Sequence, residues 1–119
     1  MPTGERKSFA SPDEVRSFEK GKAELLKFGD RIVGRYTFQP GWRWSLHVKP
    51  IVQTDLCEVP HFGYVVAGRL HNRQADGTEL EAGPGDVVLI PPGHDGWVVG
   101  DEPTVLIDWT GATGYAKGR

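Results

Sequence analysis

Between Gly83 and Trp97 the chain reads GPGDVVLIPPGHDGW, an apolar run held between a Pro84-Gly85 corner and a Pro91-Pro92-Gly93 corner. The run is too short for an ordinary helix, and its β-branched residues favour extended backbone. Proline removes a ladder donor and glycine supplies positive φ, so the strand must turn sharply at both ends. A histidine, His94, stands immediately beyond the second corner.

The same punctuation recurs along the chain. Its 16 glycines and 9 prolines are spread in corner-like pairs instead of forming one low-complexity tract. Between them lie AELLKF, RIVGRYTFQP, WRWSLHVKP, HFGYVVAGRLH, TELEA, DVVLIPP, GWVVGDE and TVLIDWTG, short runs rich in β-branched and aromatic residues. An Asp76-Gly77 turn predicts a hairpin. Seven or eight such strands, with no second helical pattern, predict an all-β sandwich or barrel. Upstream, SPDEVRSFEKG offers Ser11 as an N-cap, Pro12 at the first helical position, Glu14 to close a capping box and Gly21 as the stop. The organisation expected is therefore an N-terminal arm with a short helix over residues 1–22, loose around Pro2 and Gly4, followed by a β-barrel domain over residues 23–119.

At 119 residues one domain is expected, burying roughly two-thirds of the surface of the unfolded chain. A formal net charge of −2 supplies no field for nucleic acid or anionic lipid, so neither is an expected partner. Cys57 is the single cysteine, which excludes an internal disulfide framework. The polar N-terminal stretch has no apolar core of a signal peptide, and no run approaches the roughly twenty apolar residues of a membrane-spanning helix. Cytoplasmic residence is the expectation.

PGDVVLIPPG, with five residues between Gly85 and Pro91 and one between Pro91 and Gly93, resembles the second sequence motif of the cupin superfamily. PGWRWSLH at Pro40–His47 and HFGYVVAG at His61–Gly68 resemble the beginning and the end of that family's first motif. The resemblance covers roughly residues 23–112. It implies a small jelly-roll, or double-stranded β-helix, barrel in which the residue past the Pro-Gly corner points into the barrel mouth.

The usual cupin ligand set is His-x-His, then Glu, then a His of the second motif, and this chain departs from it. Counted from Gly41, the two histidine positions fall on His47 and Lys49. Counted back from Gly68, they fall on Asp55 and Cys57, and the glutamate position falls on His61. PIVQTDL reads as an insertion that puts the two registers out of step. In the second motif the histidine position falls on Gly96, with His94 displaced by two residues. The resemblance therefore implies His47, Cys57, His61 and His94 as candidate ligands, donor types that suit a divalent transition metal, zinc or iron first. Each also has a plainer reading: Cys57 as a small core residue, His61 bonded to a backbone carbonyl, His47 as an interior polar group, His94 as a loop cap. His71, ahead of a polar hairpin, is expected in solvent.

Trp42 and Trp44 alternate around Arg43 and so share one face if the segment is a strand. Trp44, Tyr64, Trp97 and Trp109, with Asp108 nearby, are candidates for the wall of a ligand pocket, core or interface packing being the alternative. Two functions stay open: a metal-dependent enzyme of oxygenase, isomerase or lyase type acting on a small organic molecule, and a non-catalytic binding module with a degenerate metal site. A homodimer is expected under either, with the N-terminal strand region adding to a partner's sheet.

Overall fold

A computed structural model describes residues 3–118. Met1, Pro2 and Arg119, which belong to the expected arm and barrel domain, lie outside the described residues. The described chain runs β1 (Glu14–Phe18), β2 (Gly21–Phe28), β3 (Arg31–Phe38), α1 (Trp44–His47), α2 (Lys49–Val52), β4 (His61–Ala67), β5 (Leu70–Gln74), β6 (Glu79–Ala82), β7 (Val87–Ile90), β8 (His94–Val98) and β9 (Thr104–Asp108). The strands form a six-stranded sheet, β1-β2-β3-β9-β4-β7, and a three-stranded sheet, β6-β5-β8, with every pairing antiparallel. No described helix is long and apolar enough to cross a membrane.

Alternation of side chains decides what faces the interior. On β3, Gly34, Tyr36 and Phe38 point inward; on β9 Thr104, Leu106 and Asp108 do; on β4 His61, Gly63 and Val65 do. Their neighbours in sequence point out. Gly63 is required where β4 passes β9, because a Cβ there would lie 2.3 Å from the Ile107 carbonyl oxygen. After β9 the chain folds back in a series of turns that buries Ala112, Tyr115 and Ala116. The Arg16 guanidinium fastens these turns by donating to the carbonyl oxygens of Ala112 (2.9 Å) and Tyr115 (2.7 Å).

Two segments differ from the sequence expectation. Residues 14–18 form strand β1, not a helix, and pair in register from Glu14↔Leu25 to Phe18↔Gly21. Glu14, expected to close the capping box, pairs instead with Arg16 and Lys27, and its neighbour Asp13 accepts from the Lys27 amide through Oδ2. Pairing with the edge of β2 supplies long-range bonds that a lone capping signal cannot match. WRWSLHVKP is likewise not a strand. From Trp44 it coils into α1, because Asp95 on β8 accepts the Ser45 amide at 3.1 Å and holds Arg43 Nε at 3.1 Å.

Candidate metal centre

The corner that dominates the sequence also builds the site. Gly93 takes a φ of 90°, which lets its amide donate to the Cys57 carbonyl at 2.7 Å, while the Cys57 amide donates to the His94 carbonyl at 2.8 Å. Cys57 and His94 thus form an isolated antiparallel bridge and stand side by side on one face. His61 opens β4 opposite Ile90, with its ring turned inward. The outcome is a buried group of Cys57, His61 and His94 whose donor atoms lie within 4.8 Å of one another.

The two rings are held in the orientation a metal ligand needs. His61 Nδ1 lies 2.6 Å from Asp108 Oδ2, and the same oxygen accepts from Tyr36 Oη at 2.7 Å. The amides of Phe62, Thr110 and Gly111 approach the other oxygen at 3.2–3.3 Å. Burial alone would raise the Asp108 pKa, but the bonds from His61, Tyr36 and the amides outweigh it and hold the group below its ordinary value. An ionised carboxylate only accepts, so the proton of this pair sits on His61 Nδ1 and Nε2 faces the Cys57 sulfur at 3.9 Å. His94 Nδ1 lies 2.8 Å from the Pro91 carbonyl oxygen, which also only accepts. Burial pushes the His94 pKa down to about 4, so the ring is neutral near pH 7 and its Nε2 carries a free lone pair. Burial pushes the Cys57 thiol up to about 12. A thiolate forms in that position when a cation replaces the proton.

Beside the group lies a cavity of about 30 Å³ lined by His61, His94, Trp42, Trp44, Asn72 and Tyr115, among others. Three of its polar atoms, Trp42 Nε1, Asn72 Oδ1 and Tyr115 Oη, are buried without a hydrogen-bond partner.

No protein-family model and no curated protein matches the sequence. Solved structures do. The oxalate decarboxylase of Lactobacillus farciminis, in its formate complex, superposes with a TM-score of 0.61 at 19% identity over 86% of this chain and 32% of that one. A conserved protein with a double-stranded β-helix domain from Klebsiella pneumoniae gives 0.59 at 17% identity over 92% and 86%. The Bacillus subtilis oxalate decarboxylase studied for its Mn(II) centres gives 0.55 at 22% identity over 87% and 28%. This chain has the cupin fold. It spans about a third of the length of either decarboxylase, and at these identities the likeness is one of fold.

Within the cupin barrel the expected residues separate clearly. Cys57, His61 and His94 converge, which is the register counted back from Gly68. His47 does not join them: it sits on α1, where its Nδ1 accepts the Arg43 amide at 3.0 Å. Lys49 and Asp55 face each other at 3.9 Å on the surface. Of the pocket candidates, Trp44 lines the cavity and the other three do not. Tyr64 follows the inward His61 by three residues and is 39% exposed; Trp109 follows the inward Asp108 by one and is 47% exposed. Trp97, one residue past the cavity-lining Gly96, stacks between His71 (4.7 Å) and the Arg43 guanidinium (4.2 Å). Period-two alternation turns all three outward. His71, expected in solvent, is half-buried by that stack and by Glu79 at 2.9 Å.

Residues the sequence reading passed over include Asn72, Tyr36 and Tyr115. Asp108 carried a signal: an acid inside the apolar run TVLIDW has to be either outward-facing or bonded. Tyr115, in a glycine-rich tail, carried none.

Proposed function

We propose that the chain is a metal-binding cupin-fold protein that holds a first-row divalent ion, zinc or iron first, on Cys57 Sγ, His61 Nε2 and His94 Nε2, and takes a small molecule in the adjoining cavity. The observation that carries this reading is the pair of Nδ1 bonds. Asp108 and the Pro91 carbonyl fix both tautomers so that both Nε2 lone pairs are left for a ligand, the carboxylate–histidine arrangement common behind metal sites. Core histidines without a role have no need of this shared orientation beside a thiol. The ion would supply Lewis acidity toward an oxygen atom of a molecule in the cavity.

The protein's own groups define what that molecule must offer. Trp42 Nε1–H and Tyr115 Oη–H are donors without acceptors, and Asn72 Oδ1 is an acceptor without a donor. A cavity of about 30 Å³ has room for little more than two water-sized groups. The ligand is therefore a compact oxygen-bearing molecule, or the small oxygen-bearing end of a larger one. The small volume also favours the second reading, a binding module in which the metal is structural. A single thiol ligand suits a reducing compartment, which supports cytoplasmic residence.

Cobalt(II) substitution tests the site. The account expects a thiolate-to-cobalt charge-transfer band in the wild type that disappears in Cys57→Ser and persists in His47→Ala. A cobalt spectrum unchanged in Cys57→Ser overturns the ligand set. If chelation abolishes turnover of a small oxygenated substrate, the enzyme reading stands. If it lowers only thermal stability, the binding module does.

A further inference from the structure

Trp44 lines two spaces. One is the inner cavity beside the histidines, and the other is an outer cleft of about 160 Å³ walled by α2, the loop after it and the C-terminal turns. Neither wall belongs to the sheets. Val52 and Val59 pack onto the core from one segment, and Gly114 and Ala116 come from the turns that Arg16 fastens through the Ala112 and Tyr115 carbonyls. Cys57 lines this cleft, whereas His61 and His94 line the inner cavity. The Cys57, His61 and His94 group therefore stands between the two spaces.

We propose that the ligand is an aliphatic 2-hydroxy acid, with its hydroxy-carboxylate head in the inner cavity and its chain in the outer cleft, passing the Trp44 indole. The head follows from the orphaned polar atoms. Trp42 Nε1–H and Tyr115 Oη–H are two buried donors for the two oxygens of one carboxylate, and a neighbouring hydroxyl gives Asn72 Oδ1 the donor it lacks. Leaving such groups unpaired in the interior is costly, so a head that satisfies all three is favoured over one that meets a single atom. The chain follows from the cleft. At 160 Å³ against 30 Å³ it is about five times as roomy as the inner cavity, enough for an aliphatic tail of about four carbons. Trp44, Val52, Val59 and Ala116 give it apolar walls, while its charged residues, Glu58 and Lys117, are exposed. A charged tail has no buried partner there, and an alkyl tail loses water against these walls. The metal's contact with the head rests on the site proposed above, whereas the tail depends only on the cleft.

Calorimetric titration of zinc-loaded protein with 2-hydroxy acids of increasing length, from glycolate to 2-hydroxyhexanoate, tests this. Affinity is expected to rise by about fourfold for each added methylene. Gly114→Leu fills the cleft, and a Cβ at that position meets nothing nearer than Val59 Cγ2 at 3.7 Å, so the backbone accepts it. In this variant the series flattens and 2-hydroxyhexanoate binds no better than glycolate. Leu89→Ala, on an exposed side chain of β7, keeps the wild-type slope. A flat series in zinc-loaded wild type overturns the proposal and leaves the metal site standing, and a slope that survives Gly114→Leu overturns it too, as does a wild type that binds none of the acids. A protein that holds no zinc yet shows a slope abolished by Gly114→Leu supports the cleft and overturns the metal site instead.

Discussion

Acidification should weaken the metal-free protein through His94 in a window set by its burial. In the unfolded chain this imidazole titrates near 6.5, and in the fold near 4, because charging it in the interior lacks the solvation water provides. Between these values the unfolded chain binds a proton that the folded chain refuses. Protons therefore favour the unfolded state, and stability falls as pH drops through the window. Above about pH 6.5 neither state binds this proton, and the contribution is constant. At about 1.4 kcal/mol per pKa unit, the full depression corresponds to a loss of about 3 kcal/mol by pH 4, a sizeable part of the 5–15 kcal/mol of a typical domain. The Nδ1 bond to Pro91 does not cancel this, since it is made by a proton that both forms of the ring carry. Urea unfolding of chelator-treated protein between about pH 7 and 4.5 measures the effect, with His94→Gln as the reference that cannot titrate. The wild-type curve should descend relative to the variant by roughly 1 kcal/mol per pH unit through the middle of the window. A wild-type minus variant difference that stays flat across the range refutes the reasoning.

Asp108→Asn should lower metal affinity by about 10- to 100-fold without removing a ligand, because it releases the His61 ring, as read by competition with a chromophoric chelator. Metal binding near pH 7 should release about one more proton in the wild type than in Cys57→Ser, measured calorimetrically in buffers of different ionisation enthalpy, since the buried thiol enters protonated. Arg16→Met should cost about 1–3 kcal/mol by unpairing the carbonyls of Ala112 and Tyr115, and amide exchange in the C-terminal turns should quicken more than in β4. Gly63→Ala should cost about 2 kcal/mol or more in urea unfolding, since the added methyl meets backbone and not a movable side chain.

What the sequence made legible follows the range of the forces involved. The Pro-Gly corners around DVVLI and the Asp76-Gly77 turn are local, and the strands they bound, β7 and the β5–β6 pair, lie where expected. Positions facing the barrel interior also follow from alternation once one residue of a strand is anchored. His61 inward fixes Tyr64 outward, and the same count from the inward Gly96 and Asp108 turns Trp97 and Trp109 outward. The segments misread are those governed by distant partners. Asp95 lies 50 residues from the Ser45 amide it caps, so WRWSLH reads locally as a strand. Likewise SPDE presents a helix start, yet Glu14 is claimed by β2 and Lys27. At the site, the counts from Gly41 and from Gly68 disagree, and the backbone bridge between Cys57 and His94 shows which one places side chains together.

Cys57, His61 and His94, and not His47, are the residues proposed to hold one metal ion. Metal content per chain, by plasma mass spectrometry on untagged protein loaded and then desalted, tests it most directly in wild type and in Cys57→Ala, His61→Ala, His94→Ala and His47→Ala. The account predicts near-stoichiometric metal in the wild type and His47→Ala and its loss in the other three. Wild-type protein that retains no metal, or Cys57→Ala and His61→Ala proteins that retain it in full, would contradict the account.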